Sequence, residues 1–111
     1  MSSPTDLLLA LRAELEEQLH EADTELSDIR SARSDSTSDD EHDPEGSTLS
    51  TDWSRIAGLR SATLTGITDV DAALERVAVG TYGLCANCGR AIAPGRLEAR
   101  PAAALCIDCA R

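Results

Sequence analysis

Four cysteines, Cys85, Cys88, Cys106 and Cys109, form two CxxC pairs with seventeen residues between them, and the 111-residue chain has no other cysteine. Each pair can set two thiolates on one small metal ion, and this separation falls in the window of a four-cysteine zinc site. Gly89 directly follows the first pair, where a metal knuckle must turn its backbone N–H groups back toward sulfur. The segment from Tyr82 to Arg111 offers little to bury: Tyr82, Leu84, Ile92, Leu97, Leu105 and Ile107 are its large apolar residues. Thirty residues of this kind do not fold on apolar area alone. One structural Zn²⁺ supplies the difference, since metal binding to such peptides is worth roughly 10–16 kcal/mol. Arg90, Arg96 and Arg100 lie close enough in sequence to offset the negative charge of four thiolates on one zinc.

Other uses of the sulfur fit less well. Disulfides would call for a secreted context, and the chain shows no signal peptide and a long cysteine-free region before the pairs. A redox dithiol wants a βαβ pattern around one CxxC, and neither pair has it. An iron–sulfur site remains a lesser alternative. Four thiolates close the zinc tetrahedron and leave no position for a catalytic water. No nucleophile–base pair and no phosphate-cradling loop is visible either, so the chain is expected not to be an enzyme. Pro94-Gly95 reads as a turn between the pairs.

Phe is absent and Trp53 and Tyr82 are the only aromatics, so an ordinary globular core is not expected. The formal net charge is −10, with ten Arg and no Lys. That balance opposes binding to nucleic acid phosphates unless charge is segregated. Segregation is partial: residues 81–111 carry two acids against four Arg, while the rest of the chain is acidic. Without a basic run or a stacking face, no direct sequence-specific DNA binding is expected. No apolar stretch approaches membrane-spanning length, and a cytoplasmic protein with no membrane partner is the expectation.

Residues 5–33 read as a helix. Pro4 and Thr5 suit its start, Asp6 its first turn, and Arg30 and Arg33 its last. Leu15, Leu19, Ala22, Leu26 and Ile29 are spaced 4, 3, 4, 3, the seam of a coiled coil. Leu8 and Leu11 extend it with one extra four-residue step. Residues 51–79 read as a second helix on Ile67, Val70, Leu74 and Val77, with Trp53, Ile56, Leu59 and Leu64 extending the apolar side and Gly80 as its C-terminal cap. The fold class is therefore mainly α: a long antiparallel two-helix coiled-coil hairpin over residues 1–80 and a small four-cysteine finger over 81–111. The hairpin is expected within one chain, giving a monomer, with pairing between chains as the alternative.

Between the helices, residues 34–50 read as an acidic tip loop. Asp39, Asp40, Glu41, Asp43 and Glu45 put five carboxylates into seven residues. Presented on the end of a stiff stalk, they form a concentrated negative probe able to reach a metal ion, a basic cluster or a charged pore. A solvated loop with no partner is the alternative for the same residues. His42 and His20 are read as solvated side chains.

With these parts in view, the chain resembles the DksA/TraR family of zinc-finger transcription factors. The likeness is most specific in Gly80-Thr81-Tyr82-Gly83-Leu84-Cys85-Ala86-Asn87-Cys88-Gly89, and continues through Arg96-Leu97-Glu98-Ala99-Arg100-Pro101 and Leu105-Cys106-Ile107-Asp108-Cys109. It implies that the four cysteines hold zinc and that the partner is RNA polymerase rather than DNA. It also implies that the coiled-coil tip enters the polymerase secondary channel and modulates initiation, in the family often together with ppGpp. Asp40 and Asp43 fit the family's pair of tip aspartates, while Glu45 stands where the family has Ala. The chain stops two residues after Cys109, short of the helix on which a ppGpp pocket would be completed, so polymerase binding is expected and ppGpp dependence is left open. A zinc-stapled adaptor for a different protein is the second reading, and a thiol redox enzyme the third.

Overall fold

The computed structural model describes residues 3–36 and 44–111, with side chains described over 3–34 and 49–111. Among the described residues there are four helices: α1 (Pro4–Ser36), α2 (Pro44–Val79), α3 (Pro94–Ala99) and α4 (Ile107–Ala110). Among the described residues no strand forms beyond a single antiparallel bridge between Leu84 and Ala91. The mainly helical hairpin with a cysteine-rich finger is the architecture expected.

The start of α1 is fixed by a reciprocal cap. The Ser3 hydroxyl accepts the Asp6 backbone N–H at 3.1 Å, and the Asp6 carboxylate accepts the Ser3 N–H at 3.4 Å. Two of the donors that a helix start leaves unpaired are thus satisfied, and Pro4 follows at the position where a missing N–H costs nothing. The end of α2 closes with equal definition. Gly80, at φ +82°, sends its N–H to the Val77 carbonyl at 3.3 Å, and the Thr81 N–H reaches back to Arg76 at 2.9 Å. This is a Schellman closure, and its left-handed residue is the one for which a side chain would be strained.

Both long helices exceed the spans read from sequence. α1 runs three residues further, and α2 begins at Pro44, seven residues before the expected start at Thr51. Residues 44–50 are polar enough to read as loop. Pro44 nonetheless has its φ set for a first helical position. The middle of α2 carries Thr63, Thr65 and Thr68, β-branched residues that weaken a helix, and two of them find local partners. The Thr63 and Thr65 hydroxyls donate to the carbonyls of Leu59 and Ser61 at 2.9 and 3.2 Å, as threonine does when it sits inside a helix.

The chain divides into two compact units. One is Met1–Glu14 with Gly66–Arg111, and the other is Leu15–Thr65. In the first, Leu8, Val70 and Ala73 are essentially inaccessible, and Arg12 bridges to Asp71 with Nε–Oδ1 at 2.7 Å. In the second, Ala22, Ile29 and Ile56 form the buried cluster, with Leu26, Leu49 and Trp53 packed on it. There Arg60 reaches Asp23 at 2.5 Å, and the Arg30 guanidinium lies 5.6 Å from the Trp53 ring centre. Each of these pairs joins α1 to α2 with chain direction reversed, as an antiparallel hairpin requires.

The apolar side of α2 differs from its sequence reading at two places. Leu59 and Leu64, expected on the seam, are 56% and 38% exposed. The buried stripe steps from Ile56 to Arg60, Thr63, Ile67 and Val70, keeping 4, 3, 4, 3. Hydrophobicity pointed one residue to either side of the geometric positions. α1 shows the same effect: four residues after Leu8 the seam meets half-buried Arg12, so no extra step is needed to reach Leu15. Each helix therefore places one arginine on the seam, and each arginine takes an aspartate from the opposite helix. A polar seam residue with a well-placed partner on the opposite helix fixes register more than it adds stability.

The seam correction makes a direct prediction. Ile56→Ala should destabilise the chain by about 2–5 kcal/mol, whereas Leu59→Ala should stay within about 0.5 kcal/mol. Urea unfolding followed by helical circular dichroism reads both; equal losses would return Leu59 to the seam. The Arg12 hydrogen bond holds the Asp71 carboxyl below its ordinary value of 3.8. A carboxyl lowered in the folded state contributes stability above its unfolded pKa and loses it as pH falls through the lowered native value. The stability difference between the natural chain and Asp71→Asn should thus be constant at neutral pH and shrink in acid below the ordinary carboxylate range.

Candidate metal centre

The finger begins where α2 ends, and the two are tied at several points. The Arg76 carbonyl accepts both the Thr81 and the Tyr82 N–H, at 2.9 and 3.2 Å. Its guanidinium reaches the Ala102 carbonyl at 3.5 Å, and the Tyr82 hydroxyl donates to the Pro101 carbonyl at 2.8 Å. Partial burial pushes the Tyr82 hydroxyl above its ordinary pKa, so it stays a neutral donor.

The first knuckle is a tight reversal. The Cys85 N–H bonds the Arg90 carbonyl at 2.7 Å, the Gly89 N–H returns to the Cys85 carbonyl at 2.9 Å, and the Ile92 N–H reaches Gly83 at 2.7 Å. Gly89 takes φ +76°, the left-handed backbone anticipated for the residue after the pair. The second knuckle is built differently. Cys106 precedes α4 in extended backbone, its carbonyl accepts the Ala110 N–H at 2.9 Å, and Cys109 lies one turn into the helix. The two knuckles are joined by the Ala86 N–H on the Ala104 carbonyl at 2.8 Å and by Arg96 Nε on the Leu105 carbonyl at 2.9 Å. Pro94-Gly95, read as a turn, instead opens α3, because a proline at the first helical position lacks only an N–H that would go unpaired.

The four sulfurs come together. One ligand atom from each of Cys85, Cys88, Cys106 and Cys109 lies within 4.8 Å of all the others. The Cys88 and Cys106 sulfurs are 3.8 Å apart, and no disulfide joins any of the four. Zinc–sulfur bonds of about 2.3 Å in a tetrahedron give sulfur–sulfur edges of about 3.8 Å, so the spacing fits one structural zinc ion.

Electrostatics at the cluster favour a cation. Backbone N–H groups of Cys88 and then Cys106 stabilise the Cys85 thiolate and lower its pKa to about 6. At Cys109 the Asn87 amide favours the charged form, but the neighbouring Cys106 and Cys85 thiols outweigh it and raise the pKa to about 11. Neighbouring thiols cannot all ionise without a positive ion among them. Burial contributes little to the finger otherwise. Of its six large apolar residues only Ile92 is fully buried, and Leu84 and Ile107 are 43% and 54% exposed.

Sequence reasoning missed one supporting residue. Asn87 Nδ2 donates to the Cys109 sulfur at 3.4 Å, across twenty-two residues of chain. A polar residue inside a CxxC is ordinarily solvated, so only the fold could reveal this bond. Arg96, expected to offset thiolate charge, is held near the cluster by the bond from its Nε to the Leu105 carbonyl. Of the remaining expected site residues, Asp39, Asp40, Glu41 and Asp43 lie outside the described residues, and the side chain of Glu45, in the first turn of α2, does as well. Asn87→Leu should weaken zinc binding by about tenfold, as loss of an outer hydrogen bond to a ligand does elsewhere. Competition with a chromophoric chelator reads this, and unchanged affinity would make the Asn87 contact incidental.

The site and the fold both have known counterparts. A family model for the prokaryotic dksA/traR C4-type zinc finger matches residues 80–111. The RNA polymerase-binding transcription factor DksA of Haemophilus influenzae is 48% identical over 40 residues, covering 36% of this chain and 28% of that protein. The protein of the same description from Escherichia coli is 46% identical over 43 residues, covering 39% of this chain and 28% of its own length. The aligned stretches thus span under a third of these curated relatives. The solved structure of transcription factor DksA2 from Pseudomonas aeruginosa superposes with a TM-score of 0.77 at 31% identity, over 95% of this chain and 75% of that one. A matching finger and a shared fold along nearly the whole length place this chain in the DksA/TraR family.

Proposed function

We propose that this chain is a cytoplasmic transcription regulator that binds RNA polymerase as a monomer. In this reading Cys85, Cys88, Cys106 and Cys109 ligate a structural zinc, and the helical hairpin over residues 1–80 enters the polymerase secondary channel. The carboxylates of Asp39, Asp40, Glu41, Asp43 and Glu45 then approach the catalytic centre and alter initiation complexes. The observation that carries the reading is the likeness to a transcription factor over 95% of the chain, extending through both long helices and the finger.

The physical logic follows from the parts. Zinc fixes the finger's backbone, and hydrogen bonds from Arg76, Tyr82 and Arg96 fix the finger to itself and to the end of α2. In each compact unit α1 and α2 pair antiparallel, and in sequence they flank the acidic segment. Concentrated carboxylates can compete for Mg²⁺, which prefers oxygen ligands, or draw basic groups toward them. Nothing in this scheme transforms a substrate. Among the described residues no helix is long and apolar enough to cross a membrane.

Co-purification with core RNA polymerase, competed by a known secondary-channel binder, tests the partner. Retention that the competitor abolishes is the expected result, and absence of any complex would remove polymerase from the reading. Asp40→Lys with Asp43→Lys should keep zinc content, helicity and polymerase binding while losing the effect on initiation in transcription assays. Full activity of that variant would reject the role given to the acidic segment.

A further inference from the structure

Beside α4 the finger carries a groove of about 460 Å³, within the range of sites that hold ligands. Ala91, Ala93, Ala99 and Ile107 line it with apolar surface, and Ile107 is 54% exposed. Three arginines, Arg90, Arg96 and Arg100, line the same groove, against one acid, Asp108.

These arginines differ from Arg12 and Arg60 of the hairpin. Arg12 and Arg60 are each paired with an aspartate. Arg96 is held by the Leu105 carbonyl, whereas Arg90 and Arg100 form no ion pair among the described residues. Unpaired cations beside exposed apolar surface match one ligand chemistry: an apolar body carrying negative charge. The charge distribution points to the same place. Residues 81–111 carry two acids and four Arg, against eighteen acids and six Arg in the remaining eighty residues. The zinc-bound thiolates add about two negative charges, so the finger as a whole is close to neutral. An acidic partner is repelled along the rest of the chain and meets its best local match at the groove where three of the four arginines gather.

We propose that this groove is a docking site for an acidic amphipathic segment of a partner protein. Apolar side chains of the segment cover Ala91, Ala93 and Ile107, and its carboxylates meet Arg90 and Arg100. Nucleic acid fits less well. Tyr82 is the finger's only aromatic residue and its hydroxyl is committed to Pro101, so no platform for stacked bases exists there. A simple inorganic anion would leave the apolar lining unused. Because Cys106 also lines the groove, a docked segment covers one of the zinc ligands. Occupancy therefore slows loss of zinc to a competing chelator. The inference does not depend on the acidic tip or on polymerase.

The test uses the full zinc-loaded chain, isotope-labelled for NMR. The probes are a synthetic amphipathic peptide of Glu and Leu, its counterpart with Lys in place of Glu, and inorganic phosphate. The Glu peptide should shift the amides of Ala91, Ala93 and Ile107 and slow zinc transfer to a chelator. Arg100→Glu should weaken that binding by about tenfold. Ile107→Ser should weaken it too, with zinc content unchanged in both variants. Equal binding of the Lys peptide, reproduction of the shifts by phosphate alone, or no shift with any probe would each overturn the proposal.

Discussion

The sulfur tetrahedron is the constraint from which the finger's structure follows. Residues 81–111 bury one large aliphatic side chain fully, Ile92, and leave Leu84 and Ile107 largely in water. So small a core cannot offset the conformational entropy of thirty ordered residues. Four thiolates on one cation can, because the ion binds only the folded arrangement. The surrounding hydrogen bonds then gain their value from being held in place. Gly89 turns the first knuckle, Asn87 reaches across to Cys109, and the Ala86–Ala104 bond links the two halves.

The hairpin is specified by a different device. Its seam is narrow and contains small or polar residues at several positions, among them Ala22, Thr63 and Ala73. An apolar seam of this kind tolerates more than one register. The arginine–aspartate pairs do not: Arg12 finds Asp71, and Arg60 finds Asp23, so each helix supplies one cation and one anion to the other. A parallel arrangement or a shifted register would leave half-buried guanidinium groups facing the wrong residues. Exposed pairs of this kind contribute little stability, so their effect is on the choice among pairings.

How much of this could be read from the amino-acid order varied with the physics of each element. The cysteine spacing reports a short-range geometry and was legible directly, as was the 4, 3 repeat from Leu15 to Ile29. Leu59 and Leu64 misled because hydrophobicity marks which residues avoid water in general, whereas burial follows the angular step of the helix, which lands on Arg60 and Thr63. The start of α2 at Pro44 was hidden by a polar composition typical of loops. Asn87 carried no signal at all, since its partner lies on the other knuckle.

The junction after α2 has a mechanical consequence. Arg76 uses its carbonyl for Thr81 and Tyr82 and its side chain for Ala102, while Tyr82 holds Pro101. One helical turn thus grips both ends of the finger's loop system, and Gly80 works as a welded corner rather than a swivel. Lengthening the chain by a single residue between Val79 and Thr81 would shift both N–H groups off the Arg76 carbonyl together. Evolutionary insertions should accordingly be purged from this corner, and domain grafts that exchange the finger should carry Arg76 along with it.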